Sequence, residues 1–198
     1  MFRPSSRRLT AAACALTSLA LVGLSEEAGA QTQLYFSTIN NPGHVFSVLS
    51  DGTGQTDLTQ SNSGRVFDVA ADTVGLELYF TSEEGGAIYR SNFDGSGTTI
   101  VLSGLSSPRG IELDVAAGMM YWGQTNGDVR RADVNGGNEQ LVTSTPTFVQ
   151  GIGLDLVNGK IYWADLSSGI IGRNDLDGAN EEVVINSGCG SPQDVAVD

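Results

Sequence analysis

The chain has 198 residues, 40% of them apolar, with 26 glycines and 23 acidic against 10 basic residues, for a net charge of −13. Nine arginines and a single lysine, Lys160, facing that many carboxylates exclude a nucleic-acid surface, since phosphates would be repelled before they were contacted. The apolar fraction excludes a disordered acidic chain, and the length sets one domain or at most two.

The first predicted element is a leader. Arg3, Arg7 and Arg8 precede the uncharged run Leu9 to Leu24, and Ala28-Gly29-Ala30 forms a small-x-small cleavage site before Gln31. Residues 1–30 therefore read as a signal peptide and 31–198 as the exported domain, secreted or held in the periplasm or at the cell surface. A membrane anchor needs about 20 apolar residues, and Glu26 and Glu27 follow too soon, so no membrane span is expected once the leader is gone. The Arg7-Arg8 pair lacks the apolar residues a twin-arginine signal carries behind it, and Cys14 lies too early in the run for lipid attachment. Removing the leader leaves 7 basic and 21 acidic residues, net −14, and one cysteine, Cys189. A lone cysteine forms no intrachain disulfide, so the domain stands on its core, with Cys189 read as a small apolar filler.

From Leu34 onward the chain repeats every 41 to 44 residues. Leu34-Tyr35-Phe36, Leu78-Tyr79-Phe80, Met120-Tyr121-Trp122 and Ile161-Tyr162-Trp163 form one anchor. Turns of the form DGxG or its Asn variants begin at Asp51, Asp94, Asn135 and Asp177. Apolar alternations ending in aspartate, Val69 to Asp72, Ile111 to Asp114, Ile152 to Asp155 and Val195 to Asp198, close each unit. Within a unit the apolar period is two. In the fourth, Ile152 to Asp155, Lys160 to Ala164, Ile170 to Leu176 and Glu182 to Ile185 read as four short strands, with Asp177-Gly178 as a tight hairpin turn. No helical stripe follows residue 31. Four antiparallel strands in each repeat predict an all-β chain of β-propeller blades.

These residues resemble the YWTD, or low-density-lipoprotein-receptor class B, repeat. The fourth unit carries the fullest match, with Gly151, Ile152, Leu154, Asp155, Ile161, Tyr162, Trp163, Ala164, Asp165, Ile171, Arg173, Leu176, Asp177 and Gly178. The third keeps Tyr121, Trp122 and Arg131, and the second keeps Tyr79 and Arg90. Phe36 and Phe80 depart from the pattern, as does Ser47, which stands where the others have arginine. The resemblance implies six blades, whereas four repeats are visible here. An incomplete or open propeller is therefore expected, able to self-associate through its terminal blades. The alternative is closure by Val195 to Asp198 completing the blade begun at Leu34.

Neighbouring Tyr and Trp on a strand point to opposite faces, so each ring is expected to seal a joint between adjacent blades. The repeated arginine is expected to reach a carboxylate such as Asp165 across strands, and the Asp-Gly turns are read as turn chemistry. Catalytic sets are missing. His44 is the only histidine and reads as a surface or loop residue, leaving no two-histidine metal site and no supported serine triad. No phosphate-binding loop is present, and no cofactor is expected. The candidate binding residues lie at the start of the innermost strand of each unit: Asp68, Glu112 and Asp194, with Arg109, Gln150 and Gln193 beside them. The expected function is a non-catalytic secreted module that binds a protein or glycan through the loops at one end. The rival is a calcium-dependent hydrolase or lactonase of the six-bladed type, in which the three acidic groups would share a cation.

Overall fold

The computed structural model describes residues 16–22, 32–59, 64–145, 147–186 and 190–197. Sixteen strands are found there, in four antiparallel sheets of four. The first sheet holds β1 (Leu16–Val22), β2 (Gln33–Thr38), β3 (His44–Leu49) and β4 (Thr56–Asp57). The second holds β5 (Val66–Asp72), β6 (Glu77–Ser82), β7 (Ala87–Asn92) and β8 (Thr99–Ser103). The third runs through β9 (Pro108–Asp114), β10 (Met119–Gln124), β11 (Asp128–Asp133) and β12 (Gln140–Ser144), and the fourth through β13 (Val149–Asp155), β14 (Lys160–Asp165), β15 (Ile170–Asp175) and β16 (Glu182–Ile185). In every sheet the strands lie in chain order, so each is a meander, the blade of a β-propeller.

Two kinds of turn hold the meanders, the first kind in the second to fourth sheets and the second kind in all four. At the first hairpin an aspartate closing the inner strand accepts backbone N–H groups of the turn: Asp72 Oδ1 from Val74 and Gly75, both at 2.8 Å, and Asp155 Oδ1 from Asn158 at 2.9 Å. At the third, Asp51, Asp94, Asn135 and Asp177 each accept from the N–H two residues on, at 2.8 to 2.9 Å. The glycine that follows has positive φ, as at Gly178 (94°), and a Cβ there would also lie 2.4 Å from the Val142 carbonyl of the preceding sheet. Backbone conformation and close packing both demand glycine at that point.

The core consists of three joints between consecutive sheets. Tyr35 and Val45 of the first sheet meet Leu78 and Phe80 of the second. Tyr79 and Ile88 meet Met120 and Trp122, and Tyr121 and Val129 meet Ile161 and Trp163. These rings are at most 3% exposed. Tyr and its aromatic neighbour do face opposite ways: Tyr121 lies in the third joint and Trp122 in the second. The members left over at the two ends, Leu34 and Phe36 on the first sheet and Tyr162 and Ile171 on the fourth, are only half-buried, so the row of blades is open. In the third joint Gly172 lies under the Trp163 indole, and a Cβ added there would fall 2.2 Å from the ring. Gly172→Ala is therefore expected to destabilise the domain by about 1–3 kcal/mol, measurable as a lower urea midpoint than that of the wild-type chain.

The structure adds one strand that the sequence reading does not contain and departs from that reading at other points. Leu16–Val22, within the expected leader, forms β1, the innermost strand of the first sheet, paired with β2 from Val22↔Gln33 to Leu16↔Thr38. An uncharged run without breakers can occupy that position as readily as a repeat strand. The cleavage site, Cys14, Cys189 and Asp198 lie outside the described residues. The alternative of closure on the first blade is not realised. The stretch from Gln193 to Val195 lies against β13 instead, so close that a Cβ at Gly153 would be 2.5 Å from the Val195 carbonyl. Asp165 does not pair with the repeated arginine either. It sits at the far end of β14, opposite Ile170, and accepts from Thr147 and from the backbone of Ser167 and Ser168. Arg173 lies opposite Tyr162, donates to its hydroxyl at 3.1 Å and pairs with Glu182. Arg131 reaches Gln140 and the Leu176 carbonyl. His44 belongs to a strand, not a loop, and its Nδ1 lies 2.7 Å from Asp57.

Candidate functional site

The innermost strands carry a local irregularity that places the candidate residues. Near the start of each, pairing with the second strand skips, between Val66 and Val69, opposite Gly123 in the third sheet, and between Val149 and Gly151. Such bulges re-aim side chains that a regular strand would alternate. Phe67, Asp68, Arg109 and Gln150 all sit on them. Counted back from the closing aspartates, Phe67, Arg109, Gln150 and Gln193 occupy equivalent positions, followed by Asp68, Gly110, Gly151 and Asp194.

The two glycines let the strands converge. A Cβ at Gly110 would lie 3.0 Å from Gly151 Cα, and one at Gly151 would lie 2.4 Å from Asp194 Oδ1. Between them is a cavity of about 150 Å³ lined by Phe67, Asp68, Gly110, Gln150, Gly151, Gln193 and Asp194. Four of the six expected residues thus share one cavity. Asp68 joins adjacent blades, its Oδ2 accepting from Ile111 N at 2.9 Å. Thr81 does the same through its hydroxyl, which accepts from Asp68 N and donates to the Arg109 carbonyl. Asp194 Oδ1 accepts from Val195 N at 2.8 Å. Gln150 Oε1 is buried without a hydrogen-bond partner among the described residues.

Glu112 lies deeper. Its equivalents are Ala70, Gly153 and Ala196, so it is an acid where the repeat otherwise places small residues. Burial, reinforced by the negative charges of Asp68 and Asp194, pushes its carboxyl up to about 7. Burial also raises Asp194, against the stabilising N–H of Val195.

Arg109 lies next to the cavity rather than in its lining. Its guanidinium is 4.4 Å from the Phe67 ring centre and 4.9 Å from that of Phe148, and it pairs with Glu83 at 2.5 Å. Burial lowers its pKa, opposed by Glu83 and assisted by Arg65, which also pairs with Glu83. Phe67, Phe148 and Glu83 are not among the sequence candidates. Phe67 could have been found, since it shares Arg109's repeat position. Glu83 and Phe148 lie in loops, where the repeat carries no positional signal.

The shared cation site expected of the rival hydrolase is not formed. Among the described residues no three His, Cys, Asp or Glu side chains come together to hold a metal ion. Asp68 and Asp194 each direct an oxygen to backbone N–H groups instead.

Comparison with known proteins gives a consistent picture. Residues 159–198 match the family described as low-density lipoprotein receptor repeat class B. A crystal structure of a nidogen/laminin complex superposes with a TM-score of 0.83 at 18% identity, over 93% of this chain and 69% of that one. A putative TolB from Agrobacterium tumefaciens superposes with a TM-score of 0.64 at 14% identity, over 77% of this chain and 61% of that one. At these identities the likeness is one of fold.

Proposed function

We propose that this chain, which carries a low-density lipoprotein receptor class B repeat and folds as propeller blades, is an exported, non-catalytic module that binds a protein, or a glycan, at the end where the axial cavity lies. The observation that carries this reading is the Phe67–Arg109–Phe148 stack beside that cavity, braced by Glu83. Aromatic and arginine side chains held rigid by their neighbours contribute most to protein interfaces, because little side-chain entropy is lost on docking. Nidogen was solved with laminin, which supports a protein as the partner. The leader-like first 30 residues support export. The half-buried end faces, with Phe36 on one and Tyr162 on the other, support self-association as a second mode.

The test is capture of extracellular proteins, together with a glycan array, by the native chain and by an Arg109→Ala/Phe148→Ala variant with an unchanged far-UV spectrum. Wild type should retain a partner that the variant retains at least tenfold less well. Equal capture by both, or lactone turnover abolished by Asp68→Asn, would reverse the reading.

A further inference from the structure

The opposite end of the propeller, away from the axial cavity, carries the first hairpins of the second, third and fourth blades, and these hairpins are unusual for exposed turns. Residues at a turn tip are ordinarily polar, because the tip projects into water. Here the tips of three consecutive blades are apolar. The second blade presents Val74, 80% exposed, and Leu76; the third presents Ala116 and Ala117; the fourth presents Leu156 and Val157, the last 95% exposed. The inner strands leading to them, β5, β9 and β13, pack side by side, so the tips are arranged around one axis rather than scattered over the surface. Aspartates fix their shape: Asp72, Asp114 and Asp155 each hold turn N–H groups. The apolar groups are therefore presented on a rigid frame, which lowers the entropic cost of docking.

The charge around the tips is negative. Besides the three capping aspartates, the outer turns at this end carry Asp94 and Asp177. The nearby cations are already engaged, Arg90 with Glu77, Lys160 with Asp175 and Arg173 with Glu182, while Arg131 is held by Gln140 and the Leu176 carbonyl. An apolar patch rimmed by charge marks an interaction surface, and the sign of the rim selects the partner. An anionic membrane or nucleic acid would be repelled. We propose that this hairpin end docks a cationic amphipathic segment of a partner protein, whose apolar side chains cover Val74 and Val157 while its basic groups meet the surrounding carboxylates. This is a second surface, independent of the axial end.

The test uses the whole chain and a labelled amphipathic peptide of leucine and lysine, followed by fluorescence anisotropy. The control peptide has serine in place of every leucine. Binding should weaken at least tenfold for the serine peptide, and at least tenfold for Val74→Ser/Val157→Ser, which leaves the protein's charge unchanged. Both positions are highly exposed, so the variant's melting curve should match that of wild type. The proposal is overturned if the serine peptide binds as tightly, which would mean charge alone, or if the double variant binds the leucine peptide like wild type.

Discussion

Glu112→Gln is expected to stabilise the protein at pH 8 and to leave it unchanged near pH 4. The folded-state carboxyl titrates at about 7, against 4.5 for an unperturbed glutamate. Between those values the folded chain holds a proton that the unfolded chain has released, so Glu112's contribution is fully present below pH 4.5 and is lost as pH rises through about 7. Holding that proton against solution is worth about 1.4 kcal/mol for every tenfold change in proton activity between the two values, so ionised Glu112 costs about 3 kcal/mol at pH 8. Glutamine keeps the shape and carries no charge. Urea unfolding of both chains across pH 4 to 8.5 reads the effect directly. A gap between them that stays constant with pH would show that Glu112 is not confined beside Asp68 and Asp194.

Trp122→Ala should be far more damaging than Phe36→Ala, although the two occupy the same repeat position. Trp122 is fully buried between Tyr79, Met120 and Ile88, and truncating it removes the ring and leaves a cavity, costing about 3–5 kcal/mol and lowering Tm by roughly 10 °C. Phe36 lies on the unsealed end face, stacked on Phe46 at 5.3 Å, and its loss should cost about 1 kcal/mol. Trp122→Phe should be nearly neutral, because the indole N–H of Trp122 is buried without a partner among the described residues, whereas that of Trp163 donates to Asn174 Oδ1 at 2.9 Å. Equal losses at positions 36 and 122 in thermal melts would contradict the open row of blades.

The tyrosine spacing, the Asp-Gly turns and the period of two are enough to place the strands into four meanders, except for β1, since that strand comes from a run with the composition of a leader. The joints are legible because adjacent residues on a strand must face opposite ways, which assigns Tyr121 and Trp122 to different neighbours. Four of the six candidate residues meet at one cavity, because equivalent positions in repeated blades converge on one axis. The fixed offset of the repeated arginine suggests a carboxylate such as Asp165 across strands, but hairpin register sets Arg173 opposite Tyr162 and Asp165 opposite Ile170.

Periodicity by itself determined the blade, its turns and the facing of its aromatics, all of which follow from backbone geometry within some forty residues. Only the tertiary structure decided what depends on separate blades meeting. It put Arg109 between Phe67 and Phe148, confined Glu112 beside Asp68 and Asp194, and left Phe36 and Tyr162 unsealed. Burial and charge proximity are properties of the space between blades, and no residue's own neighbours along the chain specify them.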